Sequence, residues 1–258
     1  MKLTFLGTGT SQGVPVIAHN NATLDLSNPK NWRTRSSVHV EADGFHIQVD
    51  AGPEFRLQCL QNKIDWIDLF ILTHGHSDHI VGMDDLRRFC DRMPNNVMPV
   101  YSNKYGIERV AAIFPYAMGE KPTQMGYPCF RTKLMPEFMQ VSDDLTIESV
   151  ELPHGNVNTL GLVFKSGGKK LVYYTDCHEV VGKAAELAMN ADVLILDFLR
   201  VRPHSSHMCT QVALETVRRL QPKKAYFTHT TSEIDYDTWT RSLPKNCHIA
   251  YDGLIVEL

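Results

Sequence analysis

The run Thr73-His74-Gly75-His76-Ser77-Asp78-His79 places four metal-capable side chains within six residues. His74 and His76 stand two apart, so in an extended loop both can reach one ion. Asp78 and His79 fall where the chain turns toward a helix and point elsewhere. That geometry suits two neighbouring ions better than one. Neutral imidazole and carboxylate are donors for zinc, manganese or iron(II). Three histidines and an aspartate buried together without metal would repel when protonated and lose hydration when not. Farther along, His154, Asp176 and His229 each follow a strand-like segment, in Leu-Pro-His-Gly, Tyr-Thr-Asp and Phe-Thr-His.

The elements that must position these residues can be read from periodicity. Residues 3–6 form a short apolar strand ending in Gly7-Thr8-Gly9-Thr10. Residues 37–49 alternate on both sides of Ala42-Asp43-Gly44, as a hairpin does. After the break at Asp50-Ala51-Gly52-Pro53, residues 54–62 look helical, and residues 69–73 form a buried strand. Ser77-Asp78 is placed to cap a following helix with Ile80, Met83, Leu86 and Phe89 on one face. A short strand follows at 99–101, and residues 115–140 read as an irregular insertion near the site. The second half repeats the scheme. Strands are expected at 146–151, 160–165, 170–174, 193–196, 225–228 and 248–256, and helices at 180–189 and 211–220. Two strand-rich halves, each followed by helices, imply an α/β fold of two packed sheets with helices outside. No Gly-, Ser- or Pro-rich linker divides the halves, so residues 1–258 read as one domain.

A length of 258 residues with 43% hydrophobic and 21% charged residues is ordinary for a soluble protein. The net charge of −3 gives no basic field and disfavours a nucleic-acid partner. The six cysteines are scattered, with no CxxC, which reads as free thiols in a reducing cytoplasm. The N-terminus reaches Gly7 too early for a secretory apolar region, and no apolar run approaches the ~20 residues of a membrane span. The expectation is a cytoplasmic protein without membrane contact, for which a homodimer is allowed.

His-x-His-x-Asp-His after a strand resembles the signature of the metallo-β-lactamase superfamily, and the remaining pieces follow in that family's order over nearly the whole chain. The resemblance implies a four-layer αββα sandwich. It also implies one ion on His74, His76 and His154, a second on Asp78, His79 and His229, and Asp176 bridging. Asp50 matches a family aspartate that orients a ligand histidine; read from the residues alone, it serves equally as a turn aspartate capping Gly52. More narrowly, the run from Phe5 to Pro15, the metal loop with Leu86-Arg87 beyond it, Ser206-His207 and the ending Ala250-Tyr251-Asp252-Gly253 are similar to the phosphoribosyl 1,2-cyclic phosphodiesterases of the carbon–phosphorus lyase pathway. Members of that group carry cysteines for a structural zinc soon after the Gly-Val-Pro segment. Residues 18–30 contain none, so that zinc is not expected.

Two ions about 3.5–4 Å apart lower the pKa of a bridging water and clamp an oxyanion, making hydroxide available near pH 7. Asp78 could accept the water's proton or orient it. Opening a phosphodiester then needs an acid for the leaving alkoxide. His207, on the loop before the helix at 211–220, is the candidate, in the position of a non-ligand histidine in the superfamily's phosphodiesterase branch. Arg87 is a candidate phosphate or sugar contact because guanidinium suits phosphate; a surface helix arginine is the alternative. The expected activity is a dinuclear phosphodiesterase for a small cyclic ribose or nucleotide phosphodiester. A tRNA 3′-processing endonuclease shares the metals and His207, but its RNA-binding arm would have to fit in the 21 residues between His154 and Asp176. A thioester or lactam hydrolase is the other alternative and would need no His207.

Overall fold

In the computed structural model, which describes residues 1–258, the alternating pattern is realised as two seven-stranded sheets. The first lays β1 (Lys2–Gly7), β2 (Ser37–Ala42), β3 (Phe45–Val49), β4 (Leu69–Leu72), β5 (Met98–Ser102) and β6 (Phe130–Leu134) side by side in chain order. The second does the same with β7 (Phe138–Gln140), β8 (Thr146–His154), β9 (Val157–Ser166), β10 (Lys169–Tyr174), β11 (Val193–Asp197), β12 (Lys224–Thr228) and β13 (Cys247–Ile249). The last strand, β14 (Ile255–Glu257), returns to pair with β1. In the first sheet, antiparallel pairing through β3 gives way to parallel pairing through β6. In the second, antiparallel pairing through β10 gives way to parallel pairing through β13.

Side-chain alternation builds the layers. In β4, Leu69 and Ile71 face the second sheet while Phe70 and Leu72 face the helices, so the strand is buried on both sides and reads as an unbroken apolar run. Between the sheets, Phe5, Val40, Ile47 and Ile71 pack with Ile147, Leu162, Phe164 and Ile195. Outside the first sheet lie α1 (Phe55–Asn62), α2 (Ser77–Ile80), α3 (Arg87–Cys90) and α4 (Lys104–Ile113). Outside the second lie α5 (Gly182–Ala188), α6 (Thr210–Leu220) and α7 (Tyr236–Ser242), which bury Ala184, Ala188, Ala213, Val217 and Leu220. This is the expected αββα sandwich. The hairpin also forms as read: Asp43 and Gly44 both take positive φ, at 47° and 77°, between paired Ala42 and Phe45.

Four local expectations are corrected. Residues 248–256 are not one closing strand: β13 belongs to the second sheet and β14 to the first. Asp252 anchors the crossing by accepting from Thr8 Oγ1 at 2.7 Å and Thr34 Oγ1 at 2.6 Å. The expected helix after the metal loop is broken into α2, a 3-10 stretch at Val81–Leu86 and α3, although Ile80, Met83, Leu86 and Phe89 are all buried. Ser77 and Asp78 do not cap it; His76 occupies the cap position without a side-chain hydrogen bond, and Asp78 turns inward. The stretch 115–140 contains β6 and β7, the edge strands of the two sheets, leaving 118–129 irregular. Finally, α4 and α7 were not foreseen; each is capped by a side chain, Asn103 accepting from Gly106 N and Asp235 accepting from Thr238 N.

Candidate metal centre

The candidate ligands gather where strands of both sheets end. His74, His76, Asp78 and His79 follow β4, Asp50 follows β3, and His154 ends β8. Asp176 and His229 follow β10 and β12. Three of these residues, Asp50, Asp176 and His229, hold left-handed backbone with φ of 61°, 51° and 57°. Such conformations are uncommon outside glycine and collect at functional sites. Gly52 is required by close approach: a Cβ there would land on the backbone carbonyl of Asp78.

Two ligand sets form. In the first, His76 Nδ1 lies 2.9 Å from His74 Nε2 and 3.1 Å from His154 Nε2. In the second, Asp78, His79, Asp176 and His229 bring their donor atoms within 4.8 Å of one another. Asp176 Oδ2 stands 3.2 Å from both His79 Nε2 and His229 Nε2, and 4.0 Å from both His74 Nε2 and His154 Nε2. It therefore faces both sets, as a bridging carboxylate must.

Surrounding hydrogen bonds fix which ring nitrogen His74, His79 and His154 present. Asp50 Oδ2 accepts from His79 Nδ1 at 2.7 Å and from Thr73 Oγ1 at 2.8 Å, while Oδ1 accepts from Thr73 N at 2.7 Å. With its own proton committed to Asp50, the Thr73 hydroxyl accepts from His74 Nδ1 at 3.1 Å. His154 Nδ1 donates to Ser206 O at 3.0 Å. In all three rings Nε2 is the nitrogen turned toward the cluster, the arrangement expected around a metal. Asp50 thus contacts His79 directly and His74 through Thr73.

The residues fit divalent ions. The Nε2 atoms of His79 and His229 are buried and make no hydrogen bond. Burial lowers the pKa of His74, His76 and His154 and keeps them neutral. Burial also opposes charge on His79, yet Asp176, Asp78 and Asp50 raise its pKa well above the ordinary value. Three buried carboxylates around one imidazole are a surplus of negative charge that calls for cations.

His207 stands beside these two sets, with a donor atom within 4.8 Å of those of His154 and Asp176. Its ring stacks on His229 at 4.8 Å with planes 10° apart, and its centroid lies 4.6 Å from that of His154. Its Nδ1 is 2.6 Å from Asp197 Oδ2. Burial opposes its charged form, but Asp197 outweighs this and pushes the pKa up to about 9.

Residues 46–230 match the family model described as "Beta-lactamase superfamily domain". The chain belongs to the metallo-β-lactamase superfamily. It is accordingly a metal-dependent hydrolase. Within the superfamily it resembles a protein whose crystal structure is described as a new diphosphatase from the PhnP family, at 30% identity and a TM-score of 0.89, covering 100% of this chain and 96% of that one. It is also similar to Zn(2+)-bound PqqB from Methylobacterium extorquens, at 18% identity and a TM-score of 0.82 over 100% of both chains, which shows the shared fold. An octanoyltransferase of Porphyromonas gingivalis is 29% identical over 98% of this chain, but the chain spans only 51% of that protein.

The superfamily site here brings together every residue expected from sequence except Arg87. Arg87 pairs with the side chain of Asp84 and also donates from Nε to its carbonyl at 3.2 Å; Tyr116 donates to the same carboxylate at 2.7 Å. None of its hydrogen bonds reaches the clusters. Asp197 was missed. It ends β11, between the strands that deliver Asp176 and His229, and a polar residue closing an apolar strand at that place was the available signal. Hydrogen bonds tie the cysteine-free loop at 18–30 to the segment around Asp235. Thr23 Oγ1 donates to Ser232 O at 2.8 Å, and Asp235 Oδ2 accepts from Asp25 N and Asn31 Nδ2 at 3.2 and 2.7 Å.

Proposed function

We propose that this chain is a dinuclear metal-dependent phosphodiesterase that opens a small cyclic ribose or nucleotide phosphodiester. The observation that carries the reading is His207, held through Nδ1 by Asp197 against both ligand sets. His74, His76 and His154 would hold one ion, Asp78, His79 and His229 the other, with Asp176 shared. The donors suit zinc or manganese, and iron(II) as well. Bound there, such a pair supplies an acidified water and neutralises charge on phosphate.

The chain's own residues account for the other half of the reaction. With Nδ1 engaged by Asp197, His207 offers Nε2–H to the oxygen that leaves phosphorus. As the P–O bond breaks, the proton passes from Nε2 to that alkoxide oxygen, and the ring becomes neutral with Nδ1–H still on Asp197. Asp197 orients the ring and favours its donor form. Asp78, a member of the second set, would also orient the attacking water. Both sheets contribute ligands, so residues 1–258 act as one domain.

A small substrate is supported by the stretch between His154 and Asp176. Strands β9 and β10 and their turn occupy it, with nothing left for an RNA-binding arm. The PhnP-family relative being a diphosphatase also favours phosphorus–oxygen chemistry over a thioester or lactam. Six buried unpaired cysteines favour the cytoplasm, and no helix is long and apolar enough to cross a membrane. The test is turnover of 2′,3′-cyclic AMP, bis-p-nitrophenyl phosphate and a thioester by protein loaded with zinc or manganese. Phosphodiester turnover supports the reading; turnover of the thioester alone defeats it.

A further inference from the structure

We propose that His39, Glu41 and His46 form a separate metal site, for a single zinc ion, at the end of the first sheet far from the metal centre. It stands on its own residues and does not rest on the phosphodiesterase reading.

The hairpin of β2 and β3 builds it. Val38 and Val40 pack between the sheets, so the alternate residues His39 and Glu41 face away from the second sheet. Cross-strand pairing sets Gln48 opposite His39 and His46 opposite Glu41 on that same face. One ring nitrogen of each histidine and one carboxylate oxygen of Glu41 thereby come within 4.8 Å of one another. The hairpin turns at Asp43 and Gly44, whereas β3 reaches the metal centre at its other end, through Asp50. The two clusters therefore lie at opposite ends of the sheet and share no residue.

Gln48 decides which nitrogen His39 offers. The amide Nε2 of Gln48 donates to Ser37 Oγ at 2.7 Å and to Asp50 O at 2.8 Å. Its Oε1 is therefore the atom that accepts from His39 Nδ1, at 3.2 Å. With Nδ1 protonated, the fully buried His39 ring turns the lone pair of Nε2 toward His46 Nδ1, 3.1 Å away. Two nitrogens on a tetrahedral zinc stand about 3.3–3.4 Å apart, given bonds of about 2.0–2.1 Å. The pair is already close to that spacing, and a hydrogen bond from the far nitrogen is the usual outer support of a ligand histidine. Without an ion, His46 Nδ1–H answers the lone pair. To act as a ligand, His46 needs only its other tautomer, with the proton on Nε2. Two neutral imidazoles and a carboxylate are a zinc donor set.

Lys2 competes for the carboxylate without closing the site. Its Nζ holds Glu41 Oε1 at 2.7 Å, which leaves Oε2 for an ion. Glu257 is a further carboxylate for Lys2, because β1 pairs Lys2 with Glu41 on one side and with Glu257 on the other. A cavity of about 400 Å³, lined by Lys2, Glu41, His46 and Glu257 among others, gives a path from solvent and room for water as the fourth ligand. Only one carboxylate faces this ion, and a lysine shares it. Three buried carboxylates surround His79 in the metal centre. The hairpin site is accordingly the weaker one and empties when free zinc is removed.

The experiment starts from zinc-loaded protein that has been desalted, so that only the ions of the metal centre remain. Equilibrium dialysis against micromolar free zinc, with elemental analysis, then counts what is added. The wild type should take up one further zinc per chain. His46→Ala, at a half-buried position, should take up none, and Glu41→Gln, which leaves both rings in place, should bind the added ion more weakly. Both variants should keep the ions that survive desalting. No further zinc in the wild type overturns the site. So does a further zinc that either variant binds as tightly as the wild type does, because the ion would then sit elsewhere.

Discussion

Asp197 Oδ2 and His207 Nδ1 lie 2.6 Å apart, and that contact separates His207 from the ligand histidines around it. Each of His74, His79 and His154 turns Nδ1 outward and Nε2 into the cluster. His207 follows the same rule with Asp197 as its anchor; its ring stacks on His229, and its donor atom lies within 4.8 Å of those of His154 and Asp176.

If His207 protonates the leaving oxygen, its value depends on how much the leaving group needs a proton. A p-nitrophenolate leaves without help, whereas a ribose alkoxide does not. His207→Ala should lose about 10²–10⁴-fold in kcat on 2′,3′-cyclic AMP and far less on bis-p-nitrophenyl phosphate, with both ions still bound. Equal losses on the two esters would remove the acid role and leave His207 as a phosphate-positioning group.

Asp50→Asn addresses the support of the ligands. The amide keeps the shape but cannot accept from Thr73 N, Thr73 Oγ1 and His79 Nδ1 together. Outer partners of this kind are worth about 10–100-fold in metal affinity. Competition with a chelator should show weaker binding in that range, with the fold retained. Unchanged affinity would return Asp50 to the role of a turn residue.

These two tests mark what the sequence could and could not show. The ligands were legible because their residue types are few and they fall at the ends of apolar runs. His154, Asp176 and His229 each end such a run, but it was the order of the family they resemble that singled them out. Asp197 ends a strand in the same way, but a lone aspartate says nothing until the parallel order β10-β11-β12 sets it beneath His207. Arg87 illustrates the converse. Its type suited phosphate, yet only three-dimensional packing reveals Asp84 as its partner. The closing segment read as one strand because both pieces are apolar; their division between sheets depends on Asp252 holding Thr8 and Thr34, contacts distant in sequence. The helix after the metal loop was legible in which residues it buries and not in its shape, because Gly82 packs against the backbone of Ala51 and Gly52.

Acid stability should carry the signature of His39. This ring is fully buried in β2, with Nδ1 3.2 Å from Gln48 Oε1 and Nε2 3.1 Å from His46 Nδ1. Burial drives its pKa down to about 4. A histidine lowered in the fold contributes stability that is present above about pH 6.5 and is lost as pH falls through about 4. The amount at stake is about 3 kcal/mol, the equivalent of that displacement. Urea midpoints measured from pH 7 to pH 4 should fall less steeply for His39→Gln than for the wild type. Parallel profiles would show that His39 does not titrate with unfolding.

The central claim is that two ions shared through Asp176 cleave a phosphodiester, and the most direct measurement pairs metal content with turnover. Wild-type protein and Asp176→Ala are reconstituted with zinc or manganese, counted by elemental analysis, and assayed on 2′,3′-cyclic AMP by phosphorus NMR. The wild type should hold two ions per chain and open the ring to a monoester, while Asp176→Ala remains folded, loses ion occupancy and loses turnover. One ion at saturation in the wild type, or near-wild-type turnover in Asp176→Ala, would contradict the account.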